Sequence, residues 1–171
     1  MTFGTSNSPD ETDDRFRDLM SNFPSGVAIV TAFLDRTVPV GMACTALCSV
    51  SVSPPTVLVS INRSGATHRG IDESSRFAIN FLRGEEVETA RLFASGTMEE
   101  RFSATDWTLG QGGNPILSSA AYAIAEFAVV DRVPKNTHTV FFGSPRSIQL
   151  ESNITSTLLH WNRMFDSLKR S

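Results

Sequence analysis

The chain has 171 residues, 40% hydrophobic and 19% charged, and a net charge of −3. That describes one globular domain, and its acidity argues against nucleic acid or an anionic membrane as partner. No apolar run approaches the roughly 18 residues needed to cross a bilayer, and the opening MTFGTSNSPDETDD lacks the apolar stretch of a secretory signal, so a soluble, cytoplasmic protein is expected.

Residues 1–12 read as a disordered tail and 13–171 as the folded domain. Phe16, Leu19, Met20 and Phe23 fall at i, i+3, i+4 and i+7, which predicts a short amphipathic helix from 13 or 14 to 22, ended by Pro24. The β-branched run 27–33 predicts a strand, 34–37 a turn, and a second strand follows to about Met42. Pro54-Pro55 breaks the chain before a strand at 56–61. One or two helical turns are expected at 67–74, a strand at 77–82, a helix at 85–95, and mostly loop from 96 to 115. The stretches 122–133 and 139–150 read as paired strands separated by Pro134-Lys135-Asn136. Leu158, Trp161, Phe165 and Leu168 are compatible with a closing helix or a strand. Six or so strands with short helices do not form a βαβ series. They predict a mainly β fold: a six-stranded antiparallel Greek-key barrel with a few short helices.

The segment 41–53 is crowded with small and hydroxylated residues: Gly41, Ala43, Cys44, Thr45, Ala46, Cys48, Ser49, Ser51 and Ser53. Small side chains let a ligand approach the backbone. On an extended chain Thr45, Ser49 and Ser51 alternate onto one face, where they can donate to ring carbonyls, ribityl hydroxyls or a phosphate. Tight packing inside a barrel is the competing explanation. Asn62, Arg63, Ser64 and Thr67 follow the third strand; an Arg with two hydroxyls at a helix start suits a phosphate, though a solvated turn has the same composition. Cys44 and Cys48 stand about 13 Å apart on a strand, too far for a disulfide, and read as small buried thiols. His68, His138 and His160 are dispersed, so no metal site is expected. No H-E-x-x-H, G-x-S-x-G or Walker pattern is present, and GQGGN at 110–114 neither follows a strand nor opens a helix, so it reads as a loop.

The order FPSGV at 23–27, VTA at 30–32, PVGM at 39–42 and SVSVSPPTVLV at 49–59 resembles the flavin reductase-like family. The resemblance runs from about Phe16 to Leu168. It implies a split β-barrel that reduces free FMN or FAD with NADH or NADPH, as the homodimeric partner of a flavin-dependent monooxygenase. Hydride then passes from nicotinamide C4 to flavin N5, and the protein's task is to stack two flat rings, without an obvious acid–base pair. The family's flavin strand, G-M-T-A-N/S-S-F-T-S-V-S, matches Gly41 to Ser51. That makes Met42, Ala43, Cys44, Thr45, Ala46, Ser49, Val50 and Ser51 cofactor candidates; Ala43, Ala46, Leu47 and Cys48 depart from the pattern, which leaves contacts there to the backbone. Ser64, Thr67 and Ile71 fit the family's S-x-T-x-x-x-I with a one-residue offset, beside Asn62 and Arg63. Arg101 and Phe102 match a basic residue and a Phe kept near the flavin. His138 matches the His of a G-D-H triplet that faces the nicotinamide side, although Gly and Asp are here Asn136 and Thr137, and the later G-E-V is Gly143-Ser144-Pro145. Three readings stand: a diffusible-flavin reductase, a non-enzymatic flavin carrier, and an enzyme with a tightly held flavin, such as an oxidase.

Overall fold

The computed structural model describes residues 9–170. In chain order the elements are α1 (Pro9–Ser21), β1 (Ser25–Gly26), β2 (Ala28–Leu34), β3 (Val38–Cys44), β4 (Leu47–Val52), β5 (Pro55–Asn62), α2 (Ala66–Ser74) and β6 (Arg76–Leu82). Then come α3 (Val87–Ser95), α4 (Met98–Ser103), β7 (Thr108–Leu109), β8 (Pro115–Ile116), β9 (Ala121–Lys135), β10 (His138–Leu150), β11 (Ser156–Trp161) and β12 (Met164–Lys169). The fold is mainly β with a few helices. Instead of six strands there are twelve among the described residues, in a seven-stranded sheet ordered β3-β2-β6-β9-β10-β5-β4, a three-stranded sheet β1-β11-β12, and the pair β7-β8. Every pairing is antiparallel.

The two edge strands of the large sheet, β3 and β4, are consecutive in the chain, with only Thr45 and Ala46 between them. Two residues reach about 10 Å at most. The sheet therefore curls enough to bring the end of β3 and the start of β4 near each other at that corner. Strand alternation explains what fills the curl: Ala28, Val30, Ala32, Phe77, Ile79, Ala125, Phe127, Phe141, Val59 and Ile61 share one core, joined by Ile71 of α2. The opposite face of β2 carries Ile29, which packs, with Val27 just before the strand, among Phe93 of α3, Leu117 and Leu158.

Further along that outer face, Thr31, Asn80 and Glu126 lie on the neighbouring strands β2, β6 and β9, all fully buried. The chain from 110 to 117 covers them. Thr31 donates to the Pro115 carbonyl, Asn80 accepts from the Leu117 amide, and the Glu126 carboxylate accepts from the amides of Gly112 and Asn114 and from the Asn114 side chain. Ser147 completes the set. A Cβ on Gly110 or Gly112 would lie within 2.7 Å of a Glu126 carboxylate oxygen, so these glycines mark a close approach. The glycine-rich loop packs over this buried face, with Gly110 and Asn114 buried and Gln111 exposed.

Several expectations are revised. α1 begins at Pro9, inside the expected tail, while residues 1–8 lie outside the described residues. The stretch 96–115 holds α4, started by a capping box in which Thr97 accepts from the Glu100 amide and the Glu100 carboxylate accepts from the Thr97 amide. Pro134 lies within β9. The closing segment is a hairpin, turned at Asn162 and Arg163, both with positive φ. The segment 41–53 is two strands and a corner, which sends its hydroxyls in different directions. Cys48 is exposed, unlike Cys44.

Candidate functional site

A cleft of about 240 Å³ opens between β3, the N-terminal end of α2, and α3 and α4. It gathers Met42 and Ala43 from β3, Asn62 from the end of β5, Ser64 from the turn that follows, Thr67 from the first turn of α2, and Arg101 from α4. Gly41 is required on its floor because a Cβ would press to 3.0 Å against both Phe93 and Thr31. The turn is built by Asn62, whose Oδ1 accepts from the Ser64 amide at 3.0 Å and from its hydroxyl at 2.9 Å. α2 follows with Gly65 at its N-cap, so no side chain caps its first turn. Those amides and the positive end of the helix face the cleft, a ready anion seat.

Arg101 reaches across to donate to the Gly41 carbonyl at 2.7 Å, and its Nε is buried with no protein partner. Burial pushes the guanidinium pKa down, yet it remains a cation at neutral pH. A site with uncapped amides, the Thr67 hydroxyl and a guanidinium cation at its edge has donors suited to an anion such as a phosphate.

His138 opens β10 directly opposite Asn62 of β5, and the Arg63 amide donates to the Thr137 carbonyl at 2.9 Å. The His138 ring nitrogen Nδ1 lies 2.9 Å from the Thr137 hydroxyl. Thr137 thus supplies a polar partner to the ring where the family triplet has Asp.

The remaining candidates lie elsewhere. Phe102 turns into the second core, edge-on to Phe93 with ring centroids 5.4 Å apart. Cys44 faces the main core, and burial pushes its thiol up to about 11. Thr45 and Ala46 are exposed at the β3–β4 corner. Thr45 lines a second cleft, of about 260 Å³, with Phe23, Tyr122 and Thr157. Ser49 and Val50 are exposed on β4, and the Ser51 hydroxyl accepts from the Ser53 amide. Arg63 is exposed beside the cleft. Sequence reasoning passed over Gly65 and Met98, which also line the cleft; the capping-box spacing of Thr97 and Glu100 was the available signal for α4. Among the described residues, no group of three His, Cys, Asp or Glu side chains is placed to hold a metal, and no helix is long and apolar enough to cross a membrane.

Residues 20–169 match the family model described as a flavin reductase like domain, and the chain belongs to that family. It is 34% identical over 153 residues to a flavin reductase (NADH) of Kitasatospora aureofaciens, covering 89% of this chain and 80% of the relative. It is also 34% identical over 164 residues to the 4-hydroxyphenylacetate 3-monooxygenase reductase component of Salmonella typhimurium, covering 94% of each. Among solved structures, it superposes with a TM-score of 0.83 on an NADH:FAD oxidoreductase of Streptomyces globisporus in complex with NAD and FAD fragments, at 26% identity, covering 94% of this chain and 95% of that one.

Proposed function

We propose that this chain is an NAD(P)H:flavin oxidoreductase that reduces free FMN or FAD and supplies the reduced flavin to a partner monooxygenase. The observation that carries the reading is the cleft itself: uncapped α2 amides, Ser64 and Thr67 stand opposite the β3 backbone, with Arg101 across the floor. Ser64, Thr67 and Arg101 bind the flavin phosphate, while the Met42–Ala43 backbone lies along the ring and ribityl chain. His138, one strand from Asn62, positions the nicotinamide. The flavin, when bound, accepts the hydride at its ring. The protein's contribution is orientation and exclusion of water. The reductase names of its relatives favour this reading over a carrier.

The curled large sheet, with β1-β11-β12 against it, is read as a split barrel. A homodimer is part of the proposal. α1 holds Phe16, Leu19 and Met20 at 61%, 67% and 49% exposed, with Phe23 just beyond at 63%. A second copy covers such a face. Light scattering should give twice 18.6 kDa.

The cleft is shallow and few aromatic side chains clamp it, so flavin exchanges as a substrate. The test is to dialyse the protein and follow NAD(P)H oxidation against added FMN or FAD. Saturable dependence on micromolar flavin supports release. Full activity with a retained flavin, indifferent to added flavin, would favour the bound-cofactor enzyme, and flavin binding without oxidation the carrier.

A further inference from the structure

The first turn of α2 is tied to β10 by one side-chain bond. His68 Nε2 lies 2.8 Å from the Thr139 hydroxyl, and the imidazole packs on Phe141 with ring centroids 5.3 Å apart. Thr139 is 3% exposed, so its hydroxyl depends on a protein partner. Each end of this bond is one residue from the site. Thr67, which lines the cleft and is itself 3% exposed, precedes His68, and His138 precedes Thr139. Strand alternation turns Thr139 toward α2 and His138 toward the other face of β10. The tie therefore links the two halves of the site from behind.

We propose that His68 is a positioning residue: through Thr139 it sets the spacing between the anion-binding turn of α2 and the strand that presents His138. The proposal rests on the reading of the cleft as the flavin site. The groups around the ring fit a permanent brace. Burial lowers the His68 pKa; Asp72 on α2 pulls the other way, while Arg63 in the β5–α2 turn and Arg132 on β9 reinforce the fall. A neutral imidazole offers one donor and one acceptor nitrogen, which suits a hydroxyl partner. Were the ring only filling space against Phe141, a leucine would serve as well.

The experiment is a double-mutant cycle of His68→Leu and Thr139→Val, with His68→Gln as the conservative variant, read by kcat, both KM values and Tm. Each single change should lower kcat about three- to tenfold, the worth of one net hydrogen bond, with little change in the flavin KM. The double variant should be no slower than either single one, because both remove the same contact. His68→Gln, which keeps a hydrogen-bonding group, should recover most of the rate. Should His68→Leu not fold, Thr139→Val, which keeps the buried shape, reads the same bond. Unchanged kcat in a folded single variant, or losses that multiply in the double, overturns the brace. A wild-type chain that oxidises no NAD(P)H with added flavin overturns instead the reading on which it rests.

Discussion

Arg101 on α4 and Gly41 on β3 are joined by a 2.7 Å hydrogen bond from guanidinium to carbonyl, across 60 residues of chain. The bond fastens a six-residue helix to the sheet. It also leaves the guanidinium only partly committed, since its Nε has no protein partner.

Arg101→Ala should therefore raise the flavin KM by about tenfold or more, because a hydrogen bond to a charged group is worth about 1.5–3 kcal/mol and tenfold is about 1.4. Arg101→Lys should recover little of this, since an ammonium lacks the fork that serves carbonyl and ligand together. Steady-state rates against added FMN check it. An unchanged KM would remove Arg101 from the site.

His138→Ala should raise the KM for NAD(P)H more than that for flavin. One positioning contact is worth about 1–2 kcal/mol in the transition state, about 5–30-fold in kcat/KM. Unaltered kinetics would make this His a relic of the motif.

Glu126→Ala should destabilise strongly, because it strands the buried Asn114 amide and the half-buried Gly112 amide, and a stranded buried group costs about 1–3 kcal/mol. Glu126→Gln keeps an acceptor and should lose less. Urea unfolding measures both; equal midpoints for Glu126→Ala and wild type would contradict the role of the loop.

Stability should fall as pH drops below the ordinary histidine value of 6.5. The sign follows from His68: its folded pKa is lowered, so the unfolded chain takes up a proton first and gains from acid. Above 6.5 both states are neutral and the contribution is constant. The decline runs from there down through the folded pKa. It should be shallower in His68→Leu, compared by urea unfolding at several pH values; identical slopes would refute it.

A thiol reagent applied to the native protein should modify Cys48 and spare Cys44, which is buried with its thiol pushed up to about 11. Mass spectrometry of digested peptides distinguishes the two. Equal labelling at neutral pH would mean that β3 opens readily.

Much of the fold was legible because strands β2, β5, β6, β9 and β10 carry β-branched and aromatic runs bounded by turn residues. The hairpin β11-β12 was ambiguous because Leu158, Trp161, Phe165 and Leu168 also fit a helical face; the deciding element is the Asn162-Arg163 turn with both φ values positive. Ser64 and Thr67 were legible as hydroxyls at a helix start and again from family spacing, Arg101 from the family resemblance alone, and the structure brings them to one cleft. The hydroxyls of 41–53 were not placed correctly, because composition does not reveal the corner at Thr45–Ala46 that ends one sheet edge and begins the other. Glu126 went unnoticed, since a single acidic residue in a strand carries no sign of the loop that will wrap it.

That wrapping decides where the chain tolerates engineering. By composition GQGGN is the obvious place to splice in an epitope tag or a fluorescent reporter. An insertion there would pull the amides off Glu126 and uncover the outer face of β2, β6 and β9. The three-residue turn Asp35-Arg36-Thr37, exposed and joining adjacent strands, is the permissive point for a graft.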